Sequence, residues 1–205
     1  MSNANATTPR IFIARHGETE WTINGRCTGK AEIPLTANGI AHVQGTGEVL
    51  VGAGKLIDPS KLTHVFTSPR KRAVDTLSMV LGPAYKDRLD QENKITTTED
   101  IVEGDYGDNE CLKLDEFIES RLKRDLPKWD IWTQGCEGGD GEPADVLIVA
   151  HGHILRAFTK RWFRYAMDFP FQMMMEPGAI GIMSHVQHNI KEPAILAGVG
   201  FPLSK

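Results

Sequence analysis

Residues 146–150, Val-Leu-Ile-Val-Ala, form an unbroken apolar run that stops at His151-Gly152. The run has no polar residue to offer a solvent-facing side, so it reads as a strand buried on both faces. Such strands belong to parallel sheets with helices packed over both sides, which makes the expected fold class α/β. Ile11-Phe12-Ile13-Ala14, ending in Arg15-His16-Gly17, repeats the pattern near the start of the chain. Residues 62–67 read as a further strand, ending at Ser68-Pro69.

Helical patterns fall between these strands. The spacing predicts a helix over 35–50, capped by Thr36, with Ile40, Val43, Val49 and Leu50 as its apolar positions. Another runs over 72–81 and is closed by Gly82-Pro83. A strand is expected around 94–101, a helix over 112–126, an amphipathic helix from His151 to about residue 165, and a last strand over 179–185. Residues 1–9 read as a disordered polar N-terminus and 10–205 as one domain.

Charge and composition exclude several classes of function. With 23 Lys+Arg against 27 Asp+Glu the formal net charge is −4, so no broad basic face is available for nucleic acid or an acidic membrane. The longest apolar run is far too short to span a bilayer, and MSNANATTPR has no secretory h-region. Three scattered cysteines, Cys27, Cys111 and Cys136, offer neither a disulfide framework nor zinc-ligand spacing. The expectation is a protein of a reducing, cytoplasmic compartment.

Three strand ends carry charged or imidazole groups: Arg15-His16, Ser68 with Arg72 one turn later, and His151. In open α/β sheets ligands sit outside the carboxyl ends of the strands, so these groups are expected to converge. Glu103 lies between them in sequence. Two imidazoles, two guanidiniums and one carboxylate suit a phosphate monoester. The guanidiniums neutralise the dianion by bidentate hydrogen bonds, one imidazole attacks phosphorus, and the other donates to the equatorial oxygens. Taken alone, Arg15-His16 also fits a solvated arginine beside a satisfied histidine.

The order Arg15-His16-Gly17-Glu18-Thr19, Ser68-Pro69-Arg70-Lys71-Arg72-Ala73, Glu103-Gly104-Asp105-Tyr106-Gly107 and Ala150-His151-Gly152 resembles the four signatures of the histidine phosphatase superfamily. The resemblance covers about residues 10–190 and implies the phosphoglycerate-mutase-like fold, a mostly parallel sheet with helices on both faces. Within it, Cys27-Thr28-Gly29, Trp129-Asp130-Ile131-Trp132, His151-Gly152-His153-Ile154-Leu155-Arg156 and His188-Asn189-Ile190 resemble the fungal sedoheptulose-1,7-bisphosphatase branch. His16 would then be the nucleophile that becomes phosphohistidine, with Arg15, Arg72 and His151 as the phosphate clamp. Glu103 would be the general acid and then the base, its pKa raised by burial or by the bound phosphate. Arg156 would reach a distal phosphate, and Thr28 and His188 would touch the substrate. Otherwise these three read as a solvated helix arginine, a turn hydroxyl and a surface histidine. No metal and no cofactor are implied, and the expected ligand is a small phosphorylated metabolite.

Three features are set aside. Gly52-Ala53-Gly54-Lys55 lacks the spacing of a phosphate loop. His151 and His153 have no evident third ligand for a metal, and His153 reads as a helix-start residue near the pocket. Met173-Met174-Met175 reads as core or an apolar lid.

The chain also departs from the family pattern, at Thr22, Cys27, Gly104 and Cys111. Between Glu137 and the strand at 146–150 stand only GGDGEPAD, where relatives carry a long covering helix. A shortened helix would leave apolar sheet surface for a second subunit to cover, making a homo-oligomer, or would mark an altered variant or a sequence lacking natural residues. Two other functions stay open at this point: a phosphoglycerate-type mutase, disfavoured by the short tail 201–205, and a non-catalytic binding protein.

Overall fold

The structure is a computed structural model that describes residues 9–104, 145–186, 189 and 192–196. The expected helix over 112–126, the segment 129–144 and His188 lie outside the described residues. In chain order the elements are β1 (Ile11–Arg15), α1 (Glu20–Ile23), α2 (Ala37–Leu50), β2 (Leu62–Thr67), α3 (Lys71–Gln91), β3 (Ile95–Thr97), a 3-10 turn (Glu99–Ile101), β4 (Asp145–Ala150), α4 (Gly152–Trp162), β5 (Ile180–His185) and β6 (Pro193–Ile195).

The six strands make one sheet in the order β3-β2-β4-β1-β5-β6. Strands β3, β2, β4 and β1 are parallel, while β5 pairs antiparallel with β1 and β6 antiparallel with β5. Alternate residues of the central strands feed two cores. Phe12, Ala14, Leu147 and Val149 pack with Val43, Leu77 and Val80 of α2 and α3. Ile11, Ile13, Val146 and Ile148 pack with Leu155, Phe158 and Trp162 of α4. Burial on both faces is why these strands read as continuous apolar runs. At the start of β1 and β4, Arg10 donates from Nε to Asp145 Oδ1 at 3.0 Å in a buried ion pair.

The helices differ from expectation at particular residues. On α2 the buried stripe is Gly39, Val43 and Gly47, whereas Val49 is 67 % exposed. The stripe follows close approach rather than hydrophobicity: a Cβ on Gly39 would lie 2.5 Å from Glu18 O, and one on Gly47 2.5 Å from Val80 O. Helix α3 breaks where expected, at Gly82 with φ 70°, but helical backbone resumes at Pro83 and runs to Gln91. Proline at that restart lacks only an N–H that has no helical partner there. The strand expected over 94–101 shortens to three residues, because Thr98 Oγ1 accepts from Asp100 N and starts the 3-10 turn. Helix α4 stops at Trp162, three residues early, with Arg164 left-handed at φ 58°.

After β1 the chain passes to the face of the sheet covered by α2 and α3, and after β4 to the opposite face covered by α4. The connections therefore part to opposite faces at the carboxyl ends of these adjacent strands, where a crevice forms in sheets of this kind.

Candidate active site

Pairing decides which motif residues meet. Arg15 stands opposite Ala150 and Thr67 opposite Val149, so His16, His151 and Ser68 emerge from three neighbouring strands. His16 N donates to Ala150 O at 3.0 Å and Ser68 N to Val149 O at 3.1 Å, which carries the ladder one step past the strands. The His16 and His151 rings meet at 61°, with centroids 5.1 Å apart. His151 is wholly buried, and its Nε2 lies 2.8 Å from Ser68 Oγ.

His16 Nδ1 lies 2.8 Å from Gly17 O. A carbonyl only accepts, so Nδ1 carries the proton and Nε2 keeps the lone pair. Burial, with the charges of Arg72 and Arg15 nearby, lowers the His16 pKa to about 3. The loop behind it is pinned: Gly17 N donates to Thr76 Oγ1 at 2.9 Å, Thr36 N to Glu18 O at 2.9 Å, and Gly178 N to His16 O at 3.0 Å.

Beside His16 opens a cavity of about 300 Å³, walled by Arg15, Thr28, Glu103, His153 and Arg156, among others. Its size suits a small metabolite, and three arginines (Arg15, Arg26 and Arg156) against Glu103 and Glu176 suit an anionic one. Arg15 Nη1 is held on Met175 O at 2.7 Å, and Arg156 Nη2 on Met173 O at 3.3 Å. The Met173–Met175 segment is thus a wall of the site that aims two guanidiniums through its backbone. Thr28 Oγ1 and Arg156 Nε are buried without a hydrogen-bond partner among the described residues.

Arg72 is placed differently from Arg15. It is completely buried and does not line the cavity; its Nη1 donates to Ala31 O at 2.8 Å and its Nη2 to Thr28 O at 3.0 Å and Gly29 O at 3.1 Å. His151 likewise stands behind the cavity wall.

Glu103 departs from the expected raised pKa. Burial pushes it up, but hydrogen bonds and charge from His153 outweigh that and hold the carboxyl at about 2. Glu103 Oε1 accepts from Gly104 N at 3.2 Å, and Oε2 accepts from His153 N at 3.2 Å with His153 Nδ1 at 3.4 Å. The carboxylate therefore sits on the N-terminus of α4, where the helix dipole favours negative charge.

Cys27 is buried on the same wall. Among the described residues no three His, Cys, Asp or Glu side chains are grouped as metal ligands, and no helix is long and apolar enough to cross a membrane. Sequence placed Ser68 among the converging strand ends and His153 near the pocket, but their particular partners, His151 and Glu103, and the role of Thr76 under Gly17 came only from the fold.

Residues 11–143 match the histidine phosphatase superfamily (branch 1). Sedoheptulose 1,7-bisphosphatase of Saccharomyces cerevisiae is 32 % identical, with 93 % of each chain covered, over 254 aligned positions. That alignment is longer than the 205 residues of this chain, so the yeast protein carries segments that have no counterpart here. An acid phosphatase of Mycobacterium tuberculosis is 31 % identical, with 94 % of each chain covered. Among solved structures, an open reading frame product of Mycobacterium tuberculosis superposes with a TM-score of 0.63 at 27 % identity, covering 92 % of this chain and 96 % of its own.

Proposed function

Because the chain belongs to the histidine phosphatase superfamily and is a phosphatase of small phosphorylated substrates, we propose that it hydrolyses a sugar bisphosphate through a phosphohistidine at His16. One observation carries the mechanism: a buried, neutral imidazole whose Nδ1–H is spent on Gly17 O, which leaves Nε2 as a nucleophile at the cavity.

In the first step Nε2 attacks phosphorus, the bond to the leaving oxygen breaks, and its electron pair departs with that oxygen, which takes a proton delivered through Glu103. In the second, water gives its proton back to Glu103 and attacks the phosphohistidine, and the P–N electron pair returns to His16. Arg15 contacts the phosphoryl oxygens from the cavity wall. Arg72 and His151 act from behind the wall, Arg72 by adding positive charge and His151 by packing edge to face on the His16 ring. These groups supply the charge stabilisation, so the reaction proceeds without metal.

Thr28 Oγ1 and Arg156 Nε leave buried polar atoms to be satisfied, and an unmade buried hydrogen bond costs about 1–3 kcal/mol. A second phosphate fits that need, and the likeness to the yeast sedoheptulose 1,7-bisphosphatase favours a seven-carbon sugar.

The test is phosphate release from a panel of sugar mono- and bisphosphates in the presence of a chelator, with His16→Ala alongside. Release that favours a bisphosphate and vanishes in the variant is expected. Silence across the panel from a folded protein would overturn the reading.

A further inference from the structure

We infer that the acid of this site is the Glu103–His153 couple, with His153 as the residue that loads and unloads the proton Glu103 hands to the leaving group. The inference rests on the function proposed above and adds to it a residue that acts through Glu103.

Geometry carries it. Glu103 is 8 % exposed and His153 is the cavity-wall residue against its Oε2, with Nδ1 at 3.4 Å. The His153 side chain is 25 % exposed, so it links a largely buried carboxylate to solvent. Histidine is the side chain whose charge changes near neutral pH, which suits a group that must exchange protons at every turnover. The remaining neighbours do not suit the task. His16 and His151 are buried and held neutral, and Arg15 and Arg156 do not release protons. Glu176 also borders the cavity.

The resting carboxyl is ionised, because it accepts hydrogen bonds from Gly104 N and His153 N and lies against the imidazole. A carboxylate in that state cannot protonate an alkoxide by itself. With the proton on His153, an arriving phosphate raises the proton affinity of Glu103 by adding negative charge beside it. As the P–O bond breaks, the proton passes from Nδ1 of His153 to Glu103 and from Glu103 to the leaving oxygen, which leaves a neutral imidazole beside an ionised carboxylate. In the second step the proton from water returns along the same path, so the couple ends each cycle as it began.

The amide of residue 153 donates to Glu103 whatever the side chain, so His153→Asn removes the imidazole and keeps the helix-start contact. Turnover of an alkyl phosphate, p-nitrophenyl phosphate and inorganic-phosphate binding are measured across pH 5–9 in the unmodified protein and in His153→Asn. Expected is a loss of about 10–100-fold with the alkyl ester, less than about 3-fold with the aryl ester, and an alkaline limb that moves by about one pH unit or more. Equal losses on both esters with an unmoved profile would overturn the couple and leave the proposed function standing. No turnover of either ester by the unmodified protein would remove both. Nitrogen NMR of the His153 ring checks the same point without a variant: the proton should leave Nδ1 over the pH range of the alkaline limb. A ring that stays neutral from pH 5 to 8 would overturn the inference.

Discussion

His16 and His151, at the ends of adjacent parallel strands, stand edge to face at 5.1 Å, and both are buried in the neutral form. Burial is the main cause in each. Arg72 adds to it at both rings, while Glu103 pulls the other way. Two imidazoles this close would repel if protonated, and neutrality lets one of them act as a nucleophile.

That arrangement makes stability depend on pH. Both histidines bind a proton only on unfolding, so the unfolded chain holds more protons below its ordinary histidine pKa of about 6.5. The stabilisation is fully present above about 6.5 and is lost as pH falls toward about 3. His64 and His185, also held low by burial, act in the same direction. At about 1.4 kcal/mol per pH unit for each buried ring, urea unfolding should show a loss of about 2–4 kcal/mol between pH 7 and pH 5. A flat profile over that range would refute the neutral pair.

Arg72 is fully buried and fastens the carbonyls of Thr28, Gly29 and Ala31, which shape one wall of the cavity. Lysine keeps the charge but has no planar fork to span three acceptors. Arg72→Lys should cost about 2–4 kcal/mol and lower the melting temperature. Activity should fall with it, and an unchanged melting curve would count against the anchoring role.

Gly39 packs on the nucleophile loop, and a Cβ there would sit 2.5 Å from Glu18 O and 2.8 Å from Glu18 N. Backbone cannot step aside as a side-chain tip can. Gly39→Ala should destabilise by about 1–3 kcal/mol and reduce kcat by displacing the loop that follows His16. Full activity and stability in this variant would show that the loop yields freely.

Glu103→Gln removes the proton carrier while keeping the shape. Turnover of alkyl phosphates should drop by about 10²–10⁴-fold, and turnover of p-nitrophenyl phosphate much less, since that leaving group needs no proton. Matching losses in kcat/KM on both would take the acid role away from Glu103.

Arg156 lines the cavity from α4 and keeps a buried Nε without a partner among the described residues. Arg156→Ala should raise KM for a sugar bisphosphate by about 10-fold, the weight of one charge-assisted contact, and for a monophosphate by about 2-fold. The same shift on both esters would exclude a distal phosphate there.

Much of this was legible in the chain itself. The runs 11–14 and 146–150, each stopping at a histidine motif, specified buried strands, and 62–67 a further strand ending at Ser68. Residue type and local period are properties of short segments, so Thr36 as a cap and Gly82 as a break could be read without knowing any partner. Tertiary structure decided the rest. The order β2-β4-β1 brought Ser68, His151 and His16 together, and no local pattern encodes which strand lies beside which. The buried stripe of α2 ran through Gly39 and Gly47 instead of Val49, because backbone of Glu18 and Val80 comes too near for any side chain. Glu103 carries an ionised carboxylate because it docks on the start of α4 beside His153, fifty positions away in the chain. A pKa belongs to a neighbourhood, and that neighbourhood exists only once the chain has folded.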